Sequence, residues 1–284
     1  MIETVKNNSE NIISFLEKIG FFLIKEQEKH EYKTFKKKDG SILTELDITS
    51  ETLIKREIKK IFGNVKILSE ENTFEENEII AKEKFCFLLD PIDGTKNFNK
   101  GKDFTINLAF CIDKIPVISF IHNPRKKTIL FGDTKTAYKK TNNQITKLKP
   151  NSTHLKDYKE YLNLAIGTQN FENKYFTSTI VKLMQQLKYN FSEKNLKAFS
   201  AMGKLLSFVD NDVNAFWSSN VCKDWDILPA LPILKAINAY YYTNNPTIFN
   251  NNNFDSGVFI VANNEKLLDD LVYISAQTKN MVIT

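Results

Sequence analysis

The chain has 284 residues, 42% of them hydrophobic and 26% charged, and a net charge of +5 carried by scattered lysines. That length fits one large domain or two of ordinary size, and the composition is that of a soluble globular protein. It excludes a membrane-spanning apolar run, and the basic residues form no coherent stripe with aromatics for nucleic acid.

The first residues, MIETVKNNSENIISF, lack the basic start and apolar core of a signal peptide and read as a cytoplasmic start. Val5, Ile12, Phe15, Leu16, Ile19 and Leu23 fall close to a helical period and predict a helix over 3–29. YKTFKKKDGSILTELD follows as a loop or hairpin whose lysine run faces water. Leu53, Ile54, Ile58, Ile61 and Phe62 predict a second helix over 49–62, with Gly63 as its stop. Strand-like runs at 65–69, 85–89, 105–112, 117–122, 128–131 and 137–140, several joined by short turns such as DKIP and NPRKK, predict an antiparallel meander.

The polar segment KPNSTHLKD at 149–157 marks a boundary between an α+β unit, 1–150, and an α/β unit, 151–284. In the second unit, strands at 162–166, 213–217 and 257–262 alternate with helices at 175–187, 204–209, 227–237 and 264–276. TNNPTIFNNNNF at 243–254 reads as a mobile Asn-rich loop without chemistry. Cys86, Cys111 and Cys222 follow no CxxC spacing, which argues against a disulfide framework or a zinc site, and Cys86 and Cys111 read as buried thiols. His30, His122 and His154 sit in no nucleophile–base motif and read as structural or surface residues.

The chemistry concentrates in LLDPIDGTKNF, residues 88–98. Asp90 and Asp93 leave the end of an apolar strand together, and two carboxylates this close repel unless a proton or a hard divalent cation relieves them. Pro91 stiffens the link and removes a donor, so that the Ile92 carbonyl is free to serve as a ligand. Gly94 permits close approach to the backbone, and Thr95 opens a helical turn whose N–H groups suit a phosphate oxygen. A lone D-x-x-D is more often a strand end in water. The whole DPIDGT string supplies ligands, stiffener and phosphate cradle in order. Further acids stand in ILSEEN (Glu70, Glu71), in KDWDILPA (Asp226 at the start of a predicted helix) and in LTELDIT (Asp47, placed before another), each equally readable as a helix cap or surface charge.

Taken together, Glu70–Glu71, Asp90 to Thr95, Trp225–Asp226 and the upstream Thr44 and Asp47 resemble the ordered signature of the inositol monophosphatase superfamily of metal-dependent, lithium-sensitive phosphatases. The resemblance covers nearly the whole chain. It implies an α/β fold, a layered αβαβα sandwich of the inositol monophosphatase and fructose-1,6-bisphosphatase type, with the site between its two halves. It implies one Mg²⁺ on Glu70, Asp90 and the Ile92 carbonyl, a second on Asp90, Asp93 and Asp226, and a weaker third near Glu70. These residues would also face the substrate, with Gly94 and Thr95 holding the phosphate. Asp47 would accept from the Thr95 hydroxyl, which orients the attacking water, and Glu71 would support the site from behind.

GTKNFNKGKDFTINLAF further resembles the CysQ-type 3′(2′),5′-bisphosphate nucleotidases of sulfur metabolism, through Lys96 and Phe104 to Asn107. Ser219 stands where inositol phosphatases place a glutamate. The resemblance therefore implies hydrolysis of adenosine 3′,5′-bisphosphate to AMP and phosphate, with Lys96, Ser200 and Lys204 as substrate contacts. Its alternatives are an inositol, sugar or histidinol phosphate phosphatase of the same fold, or a homologue that binds metal or nucleotide without turnover. A homodimer is common in the superfamily. The chain departs from the pattern at SAMGK, at INAYYYTNN in place of a glycine-rich turn, and at WDILPALPIL, where Pro232 is expected to cost a helix hydrogen bond.

Overall fold

The computed structural model describes residues 1–37, 40–149, 159–199 and 202–278. The expected first helix is two, α1 (Ile2–Asn7) and α2 (Ser9–Lys29), broken where Asn8 leaves helical geometry. The lysine-rich link is a hairpin, β1 (Thr34–Lys36) with β2 (Ile42–Thr44). Helix α3 (Glu45–Phe62) starts earlier than apolar periodicity predicts, because Thr44 caps it. The Thr44 hydroxyl accepts from the Leu46 and Asp47 N–H groups, and the Asp47 carboxylate accepts from the Thr44 N–H. A cap of this kind contributes about 1 kcal/mol. Asp47 therefore lies in the first turn of α3 and not before it.

Next come β3 (Lys66–Ser69), α4 (Phe74–Ile80), β4 (Phe85–Asp93), α5 (Thr95–Phe98), β5 (Thr105–Ile112), β6 (Ile115–Asn123), β7 (Thr128–Asp133), β8 (Ala137–Thr141) and β9 (Gln144–Lys147). They form a seven-stranded sheet in the order β3 to β9, with β3 parallel to β4 and every later pair antiparallel. The meander is as the turns predict. β9 escaped the apolar pattern because its four residues are all exposed. β4 outruns its apolar core to Asp93, since Asp90 pairs with Asn107 and Asp93 with Thr105 around a register shift that accommodates Pro91.

The second sheet is built from β10 (Leu164–Gly167), α6 (Thr168–Glu172), α7 (Lys174–Gln186), β11 (Leu196–Phe199), α8 (Gly203–Val209), β12 (Ala215–Lys223), α9 (Asp224–Ile227), α10 (Leu231–Ala236), β13 (Tyr240–Thr243), β14 (Asp255–Ala262) and α11 (Glu265–Thr278). Its strand order is β11-β10-β12-β14-β13, with β10 parallel to β11 and β12 and the other pairs antiparallel. The boundary placed at 149–157 falls almost entirely outside the described residues.

Three local expectations change. The helix expected at 227–237 is split by a 3₁₀ turn, Leu228–Ala230, and each proline sits in the first turn of its own short helix, where no helical donor is lost. Pro232 therefore costs no hydrogen bond. The Tyr-rich run is the edge strand β13. The Asn-rich segment is not a loose loop, because Ile248, Phe249 and Phe254 are buried.

Side chains alternate along β4 between two cores, as strand geometry requires. Phe87 and Leu89 pack with Leu16 and Leu23 of α2 and Ile54 and Ile58 of α3. Leu88 faces the other way, toward Leu205, Ile227, Leu231 and Leu234 of α8 to α10, which also meet Phe216 and Phe259 of the second sheet. The far face of that sheet, with Leu164, Trp217 and Ile260, packs on Ile180 of α7 and on Leu271 and Ile274 of α11. The layers run αβαβα. Among the described residues no helix is long and apolar enough to cross a membrane.

Candidate metal centre

Strand β4 carries Asp90 to the rim of the seven-stranded sheet, where it is 1% exposed. One oxygen, Oδ1, accepts from the Ile92 N–H at 3.1 Å. The other, Oδ2, is buried without a hydrogen-bond partner among the described residues. A native fold rarely leaves a buried carboxylate oxygen unpaired unless another group claims it. Glu70, just past β3, and Asp226, in α9, converge on the same point: carboxylate oxygens of Glu70, Asp90 and Asp226 all lie within 4.8 Å of one another.

Electrostatics tell the same story. Burial, then the charges of Glu70, Asp93 and Asp226, push the Asp90 carboxyl well above its ordinary range. Burial, then Asp93 and Glu70, do the same to Asp226. Burial and the Glu70 charge raise Glu71 to about 7, and burial raises Asp47 to about 6 against its bonds from Thr44. Carboxylates compressed in this way could hold a hard divalent cation, whose charge would remove the repulsion.

Asp93 is held differently. Its Oδ2 accepts from Thr105 Oγ1 at 3.1 Å, Asn107 Nδ2 at 2.9 Å and the Met202 N–H at 2.9 Å. Burial raises its pKa, opposed by the Asn107 bond and the nearby Lys204 charge. The Met202 contact brings the segment before α8 onto the end of β4.

Gly94 adopts φ +92°, a conformation that favours glycine, and turns the chain from β4 into α5. There the Thr95 hydroxyl lies 3.3 Å from Asp47 Oδ1 and 3.1 Å from the Ile92 carbonyl. One hydroxyl proton serves one of these acceptors at a time. Of the expected substrate contacts, Lys96 is exposed on α5, Lys204 is buried in α8, and Ser200 lies outside the described residues.

Sequence reasoning passed over Lys37. Its ammonium bridges Glu70 Oε1 at 2.9 Å and Glu71 Oε1 at 3.0 Å. Burial works to lower its pKa, but the two glutamates outweigh that and hold it charged. Lys37 was hidden in a run that reads as solvated surface, and only the fold of the hairpin turns it inward. Thr105 and Asn107, by contrast, stand in the FTIN stretch that the sequence flagged, without a role.

The inositol monophosphatase family model matches residues 12–280. A 141-residue stretch is 32% identical to the 3′(2′),5′-bisphosphate nucleotidase CysQ of Haemophilus influenzae, covering 49% of this chain and 51% of that protein. The chain thus spans about half the length of that curated relative. Inositol monophosphatase 1 of Saccharomyces cerevisiae is 26% identical over 234 residues, 75% of each chain. The fold superimposes on the extragenic suppressor protein suhB of Bartonella henselae with a TM-score of 0.69 at 17% identity, covering 94% of this chain and 97% of that one.

Proposed function

Because the chain belongs to the inositol monophosphatase family, we propose that it is a Mg²⁺-dependent phosphoric monoester hydrolase, and that its substrate is adenosine 3′,5′-bisphosphate, cleaved to AMP and phosphate. The observation that carries the hydrolase reading is the convergence of Glu70, Asp90 and Asp226, with one buried Asp90 oxygen left unpaired among the described residues. Glu70, Asp90, Asp93, Asp226 and the Ile92 carbonyl would hold two Mg²⁺ ions. Bound there, Mg²⁺ supplies Lewis acidity: it lowers the pKa of water and neutralises charge on phosphoryl oxygens.

The chain's own residues do the rest. Thr95, donating to Asp47, leaves its lone pairs open to accept a hydrogen from water and so aims that water's oxygen at phosphorus. Gly94 brings the backbone close enough for N–H groups of the α5 turn to hold the phosphate. Lys204 and Lys96 supply positive charge for the substrate's second phosphate. Glu71, paired with Lys37, fixes Glu70.

The nucleotide reading draws support from the CysQ relative and from the lysine after GT. An inositol phosphate remains the second reading, favoured by the longer match to the yeast inositol monophosphatase. The test is Mg²⁺-dependent phosphate release from adenosine 3′,5′-bisphosphate, inositol 1-phosphate, fructose 1,6-bisphosphate and histidinol phosphate, each with and without Li⁺. Preference for the first, suppressed by Li⁺, is the expected result. Preference for another member replaces the substrate and keeps the hydrolase; silence across the panel overturns both.

A further inference from the structure

The Asn-rich segment between β13 and β14 is a strap pinned to the β5–β6 turn and to Asp224. Its Ile248 N–H donates to the Lys114 carbonyl in the β5–β6 turn at 3.0 Å, and the Lys114 ammonium lies 5.7 Å above the Phe249 ring. The next residue, Phe249, donates its N–H to Asp224 Oδ2 at 2.7 Å. Ser256 donates its hydroxyl to Asp224 Oδ1, also at 2.7 Å, and the Asp224 N–H donates to the Phe254 carbonyl at 2.9 Å. Asp224 is 1% exposed and both of its oxygens are used. It stands two residues before Asp226.

The Phe254 ring completes the connection. It lies 5.5 Å from Phe74, at the start of α4 and four residues past Glu70, and 5.9 Å from Trp225, the neighbour of Asp226. Phe249 closes the group at 4.7 Å from Phe254 and 6.0 Å from Phe74. One aromatic cluster, buried at Trp225, Phe249 and Phe254 and half-exposed at Phe74, thus joins the element after Glu70 to the turn that bears Asp226.

We propose that Asp224 and Phe254 are positioning residues: the strap they anchor holds the Asp226 turn against the Glu70 turn and sets the spacing of the carboxylates that take a divalent cation. This rests on the metal reading given above. A buried carboxylate kept only for packing is replaced by apolar groups at little cost. Here Asp224 Oδ2 ties the strap, and Oδ1 ties Ser256 of β14, to the turn that bears Asp226, and groups that orient ligands from behind tune metal affinity by about 10–100-fold.

The test is Mn²⁺ binding to the full chain, read as free Mn²⁺ by electron paramagnetic resonance, beside melting temperature and circular dichroism. The variants are Asp224→Asn and Phe74→Ala, the latter at a half-exposed position, with the exposed Phe21→Ala as control. The expected result is that Asp224→Asn binds Mn²⁺ about 10–100-fold more weakly, that Phe74→Ala weakens it in the same direction, and that Phe21→Ala matches wild type. If both strap variants bind Mn²⁺ as wild type does while melting earlier, the strap only stabilises the fold and the inference is overturned. If the wild type itself takes no Mn²⁺, the metal reading falls first and this one with it.

Discussion

Lys37 Nζ lies 2.9 Å from Glu70 Oε1, so the acidic cluster carries a cation of its own. Glu70 and Glu71 are partly compensated by it, while Asp90 Oδ2 has no hydrogen-bond partner among the described residues. Lys37→Met removes that compensation. In EDTA the variant should melt at lower temperature than wild type. Added Mg²⁺ should recover more stability in the variant than in wild type, because more repulsion is left for it to relieve. A stabilising ligand contributes about 2.7 kcal/mol at a hundred times its dissociation constant, ample for a thermal melt to resolve. Equal Mg²⁺ shifts in the two proteins would separate Lys37 from the metal centre.

Asp93→Asn keeps a side-chain oxygen to accept from Thr105, Asn107 and the Met202 N–H but deletes the charge. Turnover should fall by roughly 100-fold or more, with circular dichroism unchanged. Near-normal Mg²⁺-dependent phosphate release would remove Asp93 from the metal site.

Gly20→Ala should destabilise, against the usual rule. In a helix interior that change ordinarily stabilises by up to about 1 kcal/mol. Here a Cβ on Gly20 would sit 2.4 Å from His122 Nε2 and 2.9 Å from the Pro124 ring. Overpacking of that kind costs about 1–3 kcal/mol and outweighs the helix gain. Urea unfolding of the two proteins decides the sign.

His122 is buried on β6, with Nδ1 3.2 Å from the Thr128 carbonyl. Burial, opposed by that bond and reinforced by the Lys140 charge, pushes its pKa down to about 4 from 6.5. The unfolded chain therefore binds this proton at higher pH than the folded one. The stability His122 contributes is present above pH 6.5 and is lost as pH falls toward 4, in total by about 3 kcal/mol. Unfolding free energies of wild type and His122→Gln, compared at pH 7 and pH 4.5, should converge or cross at the lower value. A constant difference would show that His122 does not titrate with unfolding.

Much of this was legible in the sequence because it is local. Apolar periodicity marked α2 and α3, the turns marked the meander, and DPIDGT marked the strand end that carries Asp90, Asp93 and the Gly94 turn. What failed locally had other causes: β9 is wholly exposed and α4 buries little more than Asn77, so neither gave an apolar pattern, while in the apolar run after Asp226 Pro229 and Pro232 start new short helices where one was expected.

The sequence by itself determined the ligand types, their grouping on strand ends and helix starts, and the resemblance that named the family. Only the tertiary structure decided which acids share a point. Asp226 meets Glu70 and Asp90 because two sheets pack on the same middle helices, and Lys37 leaves the surface because its hairpin folds over Glu70 and Glu71. The Asn-rich strap is the extreme case. Its composition argues for solvent, yet three of its apolar side chains, Ile248, Phe249 and Phe254, are buried and pin it to the core. Side-chain periodicity reports only neighbours a few residues away, whereas burial is settled by whichever distant surface the chain meets.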